Sequence, residues 1–180
     1  MASPAATVRQ ATRQGTPSTQ QPADVPAILT LIKALAVYEK EPDIVEATVE
    51  SLQETLAFGS ESTSPSRPAR CLLMVTPTGD TVGMALYFYN YSTWRSRPGV
   101  YLEDLFVQPS ERGKGYGKRL LVELAKHVVA INGRRLEWAV LKWNEPSIKF
   151  YESIGAQPMN DWVTMRVDGP ALNKLAHLLD

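Results

Sequence analysis

The feature that most constrains the fold of this chain is a glycine-rich loop between a predicted strand and a predicted helix. The loop reads Glu-Arg-Gly-Lys-Gly-Tyr-Gly over 111–117. It follows an apolar stretch at 101–107 and leads into apolar residues at helical spacing over 115–132. Glycines let the backbone turn tightly and approach a ligand closely. Because the first N–H groups of a helix are unpaired and its dipole favours anions, the segment predicts a phosphate or pyrophosphate site.

The remaining hydrophobic patterns predict a single mixed domain. Strands are predicted over 7–12, 71–76, 82–91, 101–107, 136–141 and 162–167. One helix is predicted to begin with Asp24 as its N-cap and a second to begin near Thr48. Three more helices are predicted over 115–132, 146–154 and 170–179. Residues 1–6 are expected to be disordered, 14–22 a polar loop, 59–70 a surface excursion, and 7–180 one domain. This order predicts an α/β fold of the α+β type, with a central mixed, largely antiparallel sheet and helices on both faces.

Charge and cysteine content exclude several classes of function. The chain has 19 Lys and Arg residues against 19 Asp and Glu residues, so its net charge gives no reason to expect nucleic acid or an anionic membrane. No apolar stretch is long enough to span a bilayer, and 1–21 lacks the apolar core of a secretory signal. The single cysteine, Cys71, excludes an internal disulfide and a cysteine-rich zinc site, and a buried strand position is expected for it. We therefore expect a cytoplasmic protein without a metal, although a mitochondrial address stays open.

The glycine loop matches neither of two common nucleotide-binding patterns. It lacks the G-x-x-x-x-G-K-[ST] of a Walker loop and the third glycine of G-x-G-x-x-G. A plain glycine turn without a ligand stays open on the loop alone. What the loop does contain is R-x-x-G-x-G, at Arg112, Gly115 and Gly117. This motif is similar to the pyrophosphate loop of the GNAT N-acetyltransferase superfamily.

Four further motifs resemble one branch of that superfamily, the diamine (spermidine/spermine and thialysine) acetyltransferases. They are Y-x-E-D-x-x-V at 101–107, W-N-E-P-S-I-x-F-Y at 143–151 followed by Gly155-Ala156, Tyr-Glu at 38–39, and Ser-Thr-Trp at 92–94. The matches extend over about 24–167. The excursion at 59–70 is longer than this branch has, and the stretch after Gly155 is shorter, which leaves the identity of the amine open.

The resemblance implies acetyl-CoA as co-substrate and a sheet that splays after the 101–107 strand. The implied acetyl-CoA-binding residues are Leu105, Phe106, Val107, Arg112, Gly113, Lys114, Gly115, Tyr116, Gly117, Lys118, Asn144, Ser147 and Tyr151. The implied substrate-binding residues are Tyr38, Glu39, Trp94, Glu103, Asp104 and Trp162. The resemblance also implies a homodimer.

Acetyl transfer from a thioester to an ammonium group needs a base, a polarised carbonyl and a proton donor for the leaving sulfur. The resemblance assigns Glu103 as the base, acting through water, and Tyr151 as the acid. In a regular strand, however, Glu103 and Asp104 point to opposite faces, so only a bulge or separate roles could direct both to one amine. Ordinary surface carboxylates are the alternative for both residues.

Three functions follow from these residues. The first is N-acetylation of a small primary amine, namely a diamine, a polyamine or a lysine-like molecule. The second is acetylation of protein lysines or N-termini on the same fold, which predicts an open groove wide enough for a peptide. The third is non-catalytic acyl-CoA binding, which the presence of both Glu103 and Tyr151 disfavours.

Overall fold

A computed structural model describes residues 5–13 and 24–180 of the chain. The predicted loop at 14–22 and most of the predicted disordered N-terminus lie outside these residues. The chain divides into two compact units, Met1–Ala139 and Val140–Asp180. Each unit is described by itself below.

The first unit is built on a five-stranded sheet. Its strands are β1 (Thr7–Gln10), β2 (Ala69–Val75), β3 (Thr81–Ser92), β4 (Arg97–Val107) and β5 (Leu136–Trp138), and they lie in the order β1-β2-β3-β4-β5. Neighbouring strands are antiparallel except β4 and β5, which are parallel. The predicted mixed, largely antiparallel sheet is therefore confirmed.

Helices cover both faces of this sheet. One face carries α1 (Asp24–Tyr38) and α2 (Val49–Thr55), whose apolar side chains pack on those of β2, β3 and β4. The other face carries α3 (Tyr116–Ala130), which buries Leu120, Leu121, Leu124 and Val128. His127 of α3 lies 5.8 Å from the buried ring of Tyr87 on β3, measured between ring centroids. The amphipathic pattern predicted for 115–132 thus marks the buried side of α3 correctly.

Asp24 begins α1 but does not act as the predicted N-cap. Its carboxylate is buried and accepts hydrogen bonds from the Arg9 guanidinium at 2.6 and 2.7 Å and from the Thr12 N–H at 2.7 Å. Burial raises the pKa of Asp24, but the bonds from Arg9 and Thr12 outweigh it and leave that pKa below its ordinary value. Asp24 therefore fastens the start of α1 to the end of β1.

Strand β4 contains an irregularity in its pairing with β3. Leu86 faces Asp104 and the next residue, Tyr87, faces Leu102, so Glu103 is an extra residue on β4. An extra residue of this kind is a β-bulge, which shifts the alternation of side chains by one position. Beyond the bulge, β4 also loses its neighbour on the other side, because β5 pairs only with Val100, Tyr101 and Leu102. In the described residues the sheet therefore opens beside the second half of β4, the strand after which it was predicted to splay.

The second unit contains two helices, α4 (Glu145–Ser153) and α5 (Gly169–Ala176). The predicted strand at 162–167 is wrong, since this stretch forms no strand in the part of the chain that the structure describes. Its alternating apolar residues stay in contact with solvent, with Val163 80% and Met165 85% exposed. A strand is held by hydrogen bonds to a neighbouring backbone, and no neighbour pairs with this stretch among residues 5–13 and 24–180.

Candidate functional site

The glycine loop has the backbone geometry that an anion site requires. Gly113 and Gly115 both have φ of 77°, in the left-handed region that disfavours other residues. A Cβ atom at either position would meet no atom within 4 Å, so the space beside the loop is open. Gly115 is the N-cap of α3 and has no side chain that could cap the helix. The N–H groups of the first turn of α3 therefore remain available to a bound anion.

The charged side chains of the loop are only partly available to a ligand. Lys114 Nζ contacts both carboxylate oxygens of Glu111 at 2.9 Å, and this hydrogen bond raises the pKa of Lys114. Arg119 donates to the carbonyl of Ala6. Lys118 is exposed on the first turn of α3. The loop therefore offers an anion mainly backbone N–H groups, with Lys118 as an exposed cation on the first turn of α3.

A groove with a volume of about 590 Å³ lies beside the loop, toward β3. Its walls come from the β2–β3 turn and from the loop: Thr76, Pro77, Thr78, Asp80, Thr81, Val82, Gln108, Glu111, Lys114 and Tyr116. Lys114 and Tyr116 are among the residues predicted to bind acetyl-CoA. The contribution of the β2–β3 turn was not predicted, because the contact joins residues about 30 positions apart that carry no motif.

Three carboxylates meet on the face of the sheet that α1 covers. Because Asp104 is paired with Leu86 and Leu86 with Cys71, these three side chains form one row on that face. Glu103 precedes Asp104 in the bulge, and Glu39 directly follows the last residue of α1. Burial, together with the negative charges of Glu103 and Glu39, raises the pKa of Asp104 to about 6. These carboxylates are therefore close enough to repel one another, and we call Glu39, Glu103 and Asp104 the acidic cluster.

The bulge resolves the conflict that the sequence posed for Glu103 and Asp104. In an unbroken ladder, Asp104 would lie on the same face as Leu102, which is paired with Tyr87 on the α3 side. The extra residue moves Asp104 to the α1 side, where burial also raises the pKa of Glu39. Glu103 is exposed, whereas Asp104 and Glu39 are half-buried. The cluster thus combines one solvent-accessible carboxylate with two that are partly removed from water.

Predicted substrate residues outside the cluster lie elsewhere. Trp94 is 89% exposed in the turn between β3 and β4, and Glu103 lies six positions after Arg97 along β4, a span of roughly 20 Å. Tyr38 ends α1 and stacks under the Arg112 guanidinium, with 4.8 Å between the Arg112 Cζ atom and the ring centroid. The structure therefore brings Tyr38 to the loop and leaves Trp94 at the far end of β4.

The second unit holds the remaining predicted residues. Asn144 is buried and caps α4, with its Oδ1 atom accepting a hydrogen bond from the Ser147 N–H at 3.4 Å. Tyr151 is half-buried, and its ring centroid lies 5.4 Å from that of Phe150. Trp162 is 66% exposed. The predicted capping role of Asn144 is confirmed, and Pro146 lies in the first turn of α4 as predicted.

Neither a metal-binding cluster nor a membrane span is found in the described residues. Within 5–13 and 24–180, no group of three or more His, Cys, Asp or Glu side chains is arranged to hold a metal ion. Over the same residues, no helix combines the length and apolar character needed to cross a membrane. Cys71 is buried in β2, as predicted, and burial raises the pKa of its thiol well above the ordinary value.

Comparison with known proteins shows which family the chain resembles. Residues 33–156 match the family model described as Acetyltransferase (GNAT) family. A thialysine N-epsilon-acetyltransferase of Bos taurus is 36% identical, covering 83% of this chain and 89% of its own length. An L-ornithine N5-acetyltransferase of Arabidopsis thaliana is 32% identical, covering 87% and 86%. Among solved structures, an integron cassette protein from the mobile metagenome of V. cholerae superposes with a TM-score of 0.73 at 26% identity, covering 96% and 98%.

Proposed function

Because the chain belongs to the GNAT acetyltransferase family, we propose that it transfers the acetyl group of acetyl-CoA to a primary amine of a small molecule. The substrate class is a diamine, a polyamine or a lysine-like amine. The observation that carries this proposal is the acidic cluster, which the bulge in β4 assembles beside the end of α1. Relatives that share about a third of the sequence act on thialysine and ornithine, which are amines of this class.

The loop and the open edge of β4 fit acetyl-CoA. The left-handed glycines, Gly113 and Gly115, and the first-turn amides of Tyr116, Gly117 and Lys118 suit a pyrophosphate. Leu105, Phe106 and Val107 pair with β3 on one side, and on the side facing away from β3 their strand offers backbone groups for the acyl arm. By resemblance, Asn144, Ser147 and Tyr151 complete the acetyl-CoA-binding set.

The acidic cluster suits a substrate with two or more cationic groups. Asp104 and Glu39 are half-buried, so a charge on them interacts more strongly with an ammonium group than a surface carboxylate does. Glu103 is exposed to water and is the proposed base, taking a proton from the attacking amine through a water molecule. The two roles that the sequence left in conflict are then divided between neighbours, with Asp104 holding the substrate and Glu103 activating it.

In the proposed reaction, the neutral amine nitrogen attacks the thioester carbonyl carbon and the carbon–sulfur bond then breaks. Before the attack, Glu103 takes one proton from the ammonium group through water and passes it to solvent, and the proton that the nitrogen loses as the amide forms leaves by the same route. The leaving sulfur takes a proton from the Tyr151 hydroxyl, which regains one from solvent. Holding both substrates in one ternary complex supplies much of the rate enhancement, because alignment removes an entropic barrier.

We also propose that 7–180 function as one catalytic domain, that the protein is a homodimer, and that it acts in the cytoplasm. The family match over 33–156 supports the first point, because it continues from one compact unit into the other. Resemblance supports the second, and the single buried thiol fits the third. Light scattering on the purified protein measures the oligomeric state directly.

An amine panel tests the proposed activity. We expect free coenzyme A to be released from acetyl-CoA with thialysine, ornithine, spermidine, spermine or lysine, read by a thiol reagent. Monoamines of equal length should react more slowly, because they lack the second cation that the acidic cluster binds. Release with peptide N-termini or peptide lysines but with no small amine would favour the alternative of a protein acetyltransferase. Failure to release thiol with any amine would exclude the proposal.

Replacing Gly115 by Ala should weaken acetyl-CoA binding by about tenfold or more. An Ala residue at φ 77° is strained by roughly 1–2 kcal/mol, so the loop relaxes away from the geometry that presents its amides. Calorimetry measures the Kd. Gly59→Ala is the matched control, because Gly59 also has a positive φ, of 50°, and an equally open Cβ position, and it lies between α2 and β2, outside the loop and the groove. Equal losses of acetyl-CoA affinity in both variants would count against a specific role for the loop.

A further inference from the structure

The side chain of Arg112 is held by the protein itself. Its Cζ atom lies 4.8 Å from the Tyr38 ring centroid and 5.6 Å from that of Phe106, and its Nε–H donates to the Val107 carbonyl at 3.1 Å. Its backbone N–H donates to the carbonyl of Pro109 at 3.3 Å. Although the motif suggested that Arg112 contacts acetyl-CoA, both ends of this residue are engaged in contacts within the protein.

These contacts join two segments with different proposed roles. On one side, Arg112 is followed directly by the glycines of the loop. On the other, Tyr38 is followed directly by Glu39, whose charge raises the pKa of Asp104 in the acidic cluster. A planar guanidinium stacks on an aromatic face better than an ammonium group does, so the contact is specific to arginine. A shift of the loop would therefore move the end of α1 and, with it, Glu39.

We propose that Arg112 is a positioning residue that couples the acetyl-CoA site to the amine site. Ordering of the loop by the coenzyme fixes the Arg112–Tyr38 stack, which in turn fixes Glu39 beside Asp104. The two substrates then bind cooperatively, each raising the affinity for the other by the same factor. This inference rests on the proposed function, because it takes the loop as the coenzyme site and the acidic cluster as the amine site.

The coupling is measured with coenzyme A, which binds without reacting. Coenzyme A is titrated into the protein by calorimetry, with and without a saturating amine; the amine is thialysine, or the one that the panel ranks above it. The ratio of the two Kd values is the coupling factor. For the wild-type protein we expect a ratio of about five or more, in the range typical of coupled sites.

Three variants and one control separate coupling from direct binding. Tyr38→Leu removes the ring and Arg112→Lys removes the planar group, and both should bring the ratio to about one while changing the Kd measured without amine by less than about threefold. Tyr38→Phe keeps the aromatic face and should retain the wild-type ratio. Arg13→Lys is the matched control, since Arg13 stacks on Phe58 at 4.9 Å elsewhere in the first unit.

Several outcomes would overturn the proposal. A wild-type ratio of one, or an unchanged ratio in Tyr38→Leu, would show that the stack does not couple the sites. A tenfold loss of coenzyme A affinity in Arg112→Lys without amine would show that Arg112 contacts the coenzyme directly. If the amine panel releases thiol but the ratio is one, the coupling fails and the proposed function stands. If neither assay responds to an amine, both fail.

Discussion

Replacing Tyr151 by Phe should lower kcat by about 10²- to 10³-fold while leaving the affinity for acetyl-CoA nearly unchanged. A positioned general acid contributes about 10²- to 10⁴-fold to a rate, and this substitution removes only the hydroxyl that would supply the proton. The aromatic ring and its contact with Phe150, with 5.4 Å between ring centroids, are kept. Steady-state kinetics give kcat, and calorimetry gives the Kd for acetyl-CoA.

Tyr91→Phe provides the control for loss of a tyrosine hydroxyl. The Tyr91 hydroxyl lies 2.9 Å from Ser96 Oγ near the β3–β4 turn, away from the proposed chemistry. Its removal should leave kcat within about twofold of wild type, as for a surface substitution. An unchanged kcat in Tyr151→Phe, or a loss confined to the Kd, would contradict the role of Tyr151 as the acid.

Replacing Asp104 by Asn should make the protein more stable at pH 7 and far less active. In the folded protein, burial raises the pKa of Asp104 from its ordinary 3.8 to about 6. The folded state therefore binds this proton more tightly than the unfolded state, so its stabilising effect is complete below pH 3.8 and is lost as the pH rises through about 6. At pH 7 the charged carboxylate of Asp104 lowers the free energy of unfolding by at most about 3 kcal/mol. An uncharged amide at this position does not carry this cost.

The activity of Asp104→Asn should change in the opposite direction. Loss of a partly buried charge partner typically costs an ionic ligand 2 kcal/mol or more, so kcat/KM for a diamine should fall by about 10²-fold. In the wild-type protein, kcat/KM should fall below a pH of about 6, because protonated Asp104 no longer attracts the ammonium group.

Urea unfolding at pH 4 and pH 7 checks the effect on stability. The free energy of unfolding of Asp104→Asn should exceed that of the wild-type protein at pH 7 and come close to it at pH 4. Glu54→Gln, an exposed change on α2, serves as the carboxylate-to-amide control and should alter neither stability nor kcat/KM. A destabilised Asp104→Asn at pH 7 would mean that the charge of Asp104 has a stabilising partner in the fold.

The loop and α3 were the most predictable parts of the molecule, for a local reason. Left-handed glycines, an amphipathic period of 3.6 residues and a preceding strand all act within about 30 consecutive residues, and the sequence displays each of them. The prediction of a strand at 162–167 is wrong because the alternation of apolar and polar residues describes one strand only, whereas a sheet needs a second strand to pair with it. Whether a second backbone lies beside it depends on tertiary structure, which a local pattern does not contain.

The partners of charged side chains were the least predictable part of the site. Arg112 stacks on Tyr38, which is 74 positions earlier, and Asp24 pairs with Arg9 instead of capping its own helix. In each case the sequence offers several residues that could make the same kind of contact, and only the folded structure determines which of them lies close enough. For Glu103 and Asp104, by contrast, strand geometry alone exposed a conflict and named a bulge as one solution, which the pairing with β3 confirms.

The bulge at Glu103 has a consequence for how the acidic cluster can change without a change of fold. Because Leu102 and Asp104 already face consecutive residues of β3, removing Glu103 would close the ladder without moving any other side chain to the opposite face of the sheet. A deletion of one codon would therefore remove one carboxylate from the acidic cluster and leave the apolar core intact. Because Glu103 is also the proposed base, such a deletion is expected to lower kcat while the fold is retained.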